Sequence, residues 1–224
     1  MNHAHAFPFV LLAALALAPA CDSKDRGAAG VAVTAASAAP APTVAAAPPP
    51  KPDPLRRGLD LVHAGACNDC HTPMKFDDKL GMPVPQMERM LSGHPEGAPD
   101  PASTLAKGDQ AIIGPTFTSF RLPFGTVYTA NLTPDVETGL GSWNEKMFVA
   151  SMRTGKHMGM KGRPVLPPMP WMNLNELSDD DLLAIWAYLR SIPAVRNRVP
   201  EPKVPLPVYE AITKGYETIL AAPK

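Results

Sequence analysis

CNDCH, at residues 67 to 71, constrains this chain more than any other stretch. Two thiols separated by two residues can add across the two vinyl groups of a haem. The histidine directly behind the second then stands under the iron as an axial ligand. Cys67 and Cys70 are the expected thioether positions, and His71 the expected iron ligand. Two other uses of paired cysteines compete. A redox pair calls for a βαβ context, which the sequence lacks. A structural zinc calls for four ligands, and here there is one such cysteine pair among scattered histidines.

The surrounding pattern is helical. Asp53-Pro54 reads as a helix cap with proline in the first turn, and Leu55, Leu59, Val62 and Ala66 recur at helical spacing up to Cys67. A second helix is signalled by the capping box SWNE at 142 to 145, followed by Met147, Phe148 and Ala150 and closed by Gly155. In the third, Ser178 is the cap and Asp179, Asp180 and Asp181 occupy the positive end of the dipole. Leu182, Ile185, Trp186 and Leu189 form its apolar face, and Pro193 ends it. Residues 73 to 125 are rich in proline and glycine, with one short helix expected around QMERML and no convincing strand pattern. VYEAITKGYETIL near the end of the chain spaces Tyr209, Ile212, Tyr216 and Ile219 along one helix face, expected to pack back on the domain.

The amino end points to export. An apolar run of 14 residues, FPFVLLAALALAPA, ends on small residues before Cys21, a length that suits a secretion signal and is too short to span a bilayer. LAPAC resembles a bacterial lipoprotein cleavage site, which makes Cys21 the expected lipidated residue; the alternative is ordinary cleavage near Ala20. Residues 27 to 54 hold 11 alanines and seven prolines in 28 positions, too little apolar bulk to offset the entropy of ordering them. The expected organisation is a signal over residues 1–20, an Ala/Pro-rich tether over 21–53, a domain over 54–200 and an extension over 201–224. The expected place is the periplasmic side of a bacterial membrane, the inner membrane favoured, with a soluble periplasmic form as the alternative. Lipid on Cys21 and covalent bonds at Cys67 and Cys70 would account for all three cysteines of an exported chain.

Iron held by His71 has an opposite position to fill, and the chain offers 11 methionines and five further histidines. Met87, Met90 and Met147 read as helix-face core residues. Met169 differs, since it lies between prolines in PVLPPMPW, where a fixed backbone presents a soft thioether with little entropy left to lose. It is the expected sixth ligand.

The order of these motifs, a helix into CNDCH, a long loop, TANLTPDVETGLGSWNEKMFVASMRTG, VLPPMPW and LSDDDLLAIWAYLRSIPAV, resembles a class I cytochrome c domain. In particular it resembles those in the cytochrome subunits of bacterial membrane-bound alcohol and sugar-acid dehydrogenases, over roughly residues 54 to 200. Those subunits resemble this domain repeated three times, whereas this sequence shows one copy. The resemblance implies an all-α fold whose first and last helices cross near one haem c, with His71 and Met169 as the axial pair. It also puts Asn131, Thr133 and Trp143 at the haem edge, where Asn131 and Trp143 would donate hydrogen bonds to propionates. Loop scaffolding is their alternative role.

Charge excludes one class and leaves another open. Basic and acidic residues both number 21, so there is no basic surplus of the kind that displaces phosphate counterions, and nucleic acid is not an expected partner. Lys146, Arg153, Lys156, Lys161 and Arg163 run without an intervening acid. They form either a surface that steers an acidic redox partner or a solvated face offset in space by Asp179 to Asp181. The expected function is single-electron transfer between redox proteins, such as a dehydrogenase donor and an oxidase or other cytochrome acceptor, beside a membrane reached through the lipid anchor. No catalytic residue set is visible, and the chain is not expected to be an enzyme by itself. The rivals are a haem enzyme or gas-binding module with a labile sixth ligand, and the cytochrome subunit of a dehydrogenase complex.

Overall fold

A computed structural model describes residues 53–102, 110–159 and 162–223. The expected signal, tether and lipidated Cys21 lie outside them. Helices carry the core. α1 (Pro54–Ala64) starts where Asp53 accepts the Leu55 N–H, and α2 (Cys67–His71) follows after the left-handed residue Ala66. α3 (Glu145–Thr154) is capped by Asn144, whose side chain accepts the Met147 N–H at 2.9 Å, and it ends at Gly155 with φ +63°. The expected cap, Ser142, instead closes a 3-10 turn over Leu140–Ser142. After the short α4 (Trp171–Asn175) comes α5 (Asp179–Ser191), started by Ser178 as its spacing predicts. α6 (Leu206–Ala221) completes the set.

The tightest packing is the contact of α1 with α5. Gly58 makes it possible, because a Cβ there would come within 2.0 Å of the Ala184 carbonyl oxygen. Val62, Leu182, Ile185, Trp186 and Leu189 fill the contact together with Phe148 and Met152 of α3, all buried. Arg57 and Asp181 join the same two helices through a two-pronged ion pair at 2.7 and 3.1 Å. In the acidic first turn of α5, Asp181 is thus taken by Arg57 and Asp179 by Arg153 at 2.6 Å.

Three expectations are corrected. The all-α expectation fails in the long loop, which holds two small antiparallel sheets: β1 (Met74–Asp77) with β2 (Met82–Pro85), and β3 (Ile112–Ile113), β4 (Ser119–Leu122) and β5 (Gly125–Tyr128). These strands are two to four residues long, too short for an alternation to be recognised, and prolines 83 and 85 mask the second. On α1 the buried face is Gly58 and Val62, while Leu55 is 46% exposed and Ala66 is exposed too, because the crossing selects the small residue rather than the leucine stripe. Met87, read as core, lies in a 3-10 turn over Met87–Arg89 and is 61% exposed; Met90 and Met147 are half-buried.

Candidate haem site

The short α2 is locked in place by its own sequence. Thr72 donates its hydroxyl to Asn68 Oδ1 at 2.9 Å and accepts the Leu91 N–H at 3.0 Å, while the Gly93 N–H donates to the His71 carbonyl at 2.8 Å. Cys67 and Cys70 are both free thiols, half-buried, and burial raises both pKa values. His71 is buried, and its Nδ1–H donates to the Ala130 carbonyl oxygen at 2.8 Å. A carbonyl can only accept, so the proton belongs to Nδ1 and Nε2 carries the free lone pair. Burial depresses the pKa of the imidazole and keeps it neutral, the state a metal ligand needs. Gly93 takes part indirectly: it has φ +75°, and a Cβ there would lie 2.6 Å from that same Ala130 oxygen. Ala130 lies in TANLTPDVETG, but nothing local tied it to His71 or flagged Gly93, because their roles exist only where these distant segments pack together.

Next to His71 is a cavity of about 590 Å³. Its wall includes Cys70, His71, Asn131, Trp143 and Met169, so five of the residues singled out in the sequence meet in one place. Cys67 is not part of that wall; it packs half-buried against the core. Val127, Leu132, Leu140, Phe148, Met152 and Leu166 supply an apolar lining, and His157, Arg163 and Arg198 bring polar groups. The donor set fits a haem held by this chain: two free thiols, an imidazole with one spare nitrogen, a thioether and apolar walls. Cys67 and Cys70 would carry the thioether bonds and His71 and Met169 would face the iron.

Asn131 lines the cavity, but its amide is occupied. Its Nδ2–H donates to the Val195 carbonyl at 2.8 Å and to Thr138 Oγ1 at 3.2 Å, while its Oδ1 accepts the N–H and hydroxyl of Thr133. These bonds perform the scaffolding role and leave the amide no free N–H–carbonyl pair to offer a propionate. Asp135 continues the knot by accepting from both the backbone N–H and the hydroxyl of Thr138. ANLTPDVETG is therefore a hydrogen-bonded turn that supports one wall. Trp143 faces His157 edge to face, with ring centroids 5.1 Å apart. His157 is held neutral first by burial and then by the charge of Arg163.

The basic stretch is divided rather than continuous. Arg153 donates to the Asn175 and Leu177 carbonyls and pairs with Asp179, Lys156 reaches Glu217 at 3.4 Å, and Arg163 faces the cavity. Lys161 lies outside the described residues. The offset expected from Asp179 to Asp181 is made by Asp179 on Arg153.

No family model matches the chain. Among curated proteins it is similar to a nicotinate dehydrogenase subunit of Pseudomonas putida, 39% identical over 85 residues, which are 38% of this chain and 7% of that one. It is also similar to the cytochrome c subunit of the quinone-type alcohol dehydrogenase of Gluconobacter oxydans, 36% identical over 38% of this chain and 18% of the relative. The gluconate 2-dehydrogenase cytochrome c subunit of Pantoea cypripedii is 31% identical over 46% of this chain and 22% of the relative. The chain spans less than a quarter of the length of each of these relatives. Similarity to cytochrome c subunits implies a haem. Through less than half of its own length, then, this chain resembles the cytochrome c subunits of bacterial dehydrogenases.

Proposed function

We propose that this chain is an electron-transfer cytochrome with a class I cytochrome c fold. It carries one haem, bound covalently through Cys67 and Cys70 and ligated by His71 and Met169. The observation that carries the reading is an apolar cavity lined by Cys70, His71 and Met169. When bound, the haem supplies reversible one-electron chemistry. The protein's own contributions follow from its residues. Ala130 fixes the tautomer and orientation of His71, which keeps Nε2 available and raises its basicity. With His71 and Met169 both bound to the iron, the thioether would favour the reduced form and raise the potential. Val127, Leu132, Leu140, Phe148, Met152 and Leu166 would pack against the haem and limit the access of water to it.

The same reading covers place and partners. The apolar run and LAPAC site support export and a lipid anchor at Cys21, on the periplasmic side of a membrane. The relatives' names support a dehydrogenase as electron donor, to which the catalysis is left; an oxidase or another cytochrome is the acceptor in this reading. Residues 54–200 form the cytochrome domain in this account.

The test is haem retention. Protein made in a host with covalent haem-attachment machinery keeps one haem per chain through acid–acetone extraction, and Cys67→Ser with Cys70→Ser releases it. Haem extracted from the unaltered chain, or a ratio of two, contradicts the proposal.

A further inference from the structure

The C-terminal segment meets the cavity wall and, farther on, the loop that carries Met169. Residues 198–202 line it, and the strand-like pairing that follows pins the segment down: Lys203 and Thr126 exchange both backbone hydrogen bonds at 2.8 and 3.1 Å, and Lys203 Nζ pairs with Asp100 at 2.6 Å. From that fixed base α6 returns over the loop that carries Met169. Its buried residue is Tyr216, while Leu206, Ile219 and Leu220 are exposed. Tyr216 is its deepest contact, with Val208, Tyr209 and Ile212 half-buried beside it.

Tyr216 touches both ends of the Met169 loop. Its hydroxyl donates to the Val165 carbonyl at 2.7 Å, and its ring meets Trp171 at 4.8 Å and 66°. Val165 is fixed from the other side, its N–H donating to the Gly155 carbonyl at 2.7 Å. Trp171 is fully buried against Gly155, where a Cβ would come within 2.4 Å of the indole. Between these anchors Leu166 is buried in the cavity lining, whereas Pro168 and Pro170 are exposed and the Met169 N–H makes a turn bond to Leu166 at 3.2 Å. One position along α6, Glu217 pairs with Lys156.

We infer that Tyr216 is a positioning residue for Met169: by clamping Val165 and Trp171 it sets how firmly the thioether stays in the site. This rests on Met169 being the sixth ligand. A thioether is neutral and soft and contributes no charge to hold itself at iron, so the loop that carries it decides whether a competing ligand displaces it. Freeing one end of the loop lowers the cost of swinging Met169 away.

The experiment is displacement of the native sixth ligand by added imidazole in the haem-loaded, ferric, full-length protein, followed through loss of the sulfur-to-iron absorption band. Tyr216→Phe keeps the ring on Trp171 and removes one hydrogen bond; it should bind imidazole about threefold to tenfold more tightly than the unaltered protein. Tyr216→Ala removes both contacts and should bind it more tightly still, with a lower reduction potential. A destabilisation that leaves the loop clamped would change the melting temperature without changing imidazole affinity where the fold is intact. Should Tyr216→Ala fail to accumulate, Tyr216→Phe decides. A sulfur-to-iron band in the unaltered protein with unchanged imidazole affinity in the variants overturns the positioning role alone. Absence of the band from the unaltered protein overturns the Met169 assignment, and this inference with it.

Discussion

The helical frame and the cavity wall are held together by different physics. In the frame, α1 and α5 meet over Gly58 with apolar side chains filling the contact, so stability comes from removing surface from water and from close approach. Around the wall, Asn131, which lines it, and Asn197, Tyr216 and Lys203 behind it tie the supporting segments through individual hydrogen bonds. Asn197 alone accepts from Arg89 and the Glu96 N–H and donates to the Ser92 and His94 carbonyls. A packed contact fails as a whole, whereas a wall of separate ties can loosen at one place. If His71 and Met169 hold the iron as proposed, that difference would give the site one rigid ligand, His71, and one whose firmness is adjustable, Met169.

Replacing Gly58 should have the largest effect. Gly58→Val places side-chain atoms where the Ala184 carbonyl now stands and should cost about 3 kcal/mol in urea unfolding. Helix content and haem absorbance should be lost together, because the wall rests on the frame. Loss of the haem signal well before the helix signal would show that the two regions are not so coupled.

The difference also explains what could be read from the sequence. α5 was legible because four apolar residues recur on one face after an unmistakable cap, and all four are buried. CNDCH and PPMPW stood out because their patterns are local, and the cavity brings His71 and Met169 to one lining. The wall was not. Ala130 serves His71 from far along the chain, Val195 receives Asn131, and Val165 receives Tyr216; such side chain to backbone bonds leave no period and no fixed spacing. Gly58 was missed for a related reason, since an apolar stripe directs attention to Leu55 and not to the residue whose missing side chain allows the approach.

A smaller effect separates the regions by acid. Asp181 is held below the ordinary carboxylate pKa by its hydrogen bond from Arg57, and Asp100 by its hydrogen bond from Lys203 and then by that from Tyr128. Each therefore contributes stability above the unfolded-state value of about 4, and loses it as pH falls through its lower folded value. Asp181→Asn should flatten the acid limb of helix unfolding and leave the haem spectrum at neutral pH unchanged. Asp100→Asn, which frees Lys203 and the cavity residue Tyr128, should instead shift the haem spectrum with helix content unchanged. An exchange of these two phenotypes would dissolve the distinction between frame and wall.

The central claim, that the cavity holds a haem iron between His71 and Met169, is tested most directly by the sulfur-to-iron band of the ferric protein. The account predicts the band in the unaltered chain and its loss in Met169→Ala, with haem content preserved and ready binding of carbon monoxide by the reduced variant. A band that survives Met169→Ala, or that is missing from the unaltered protein, contradicts it.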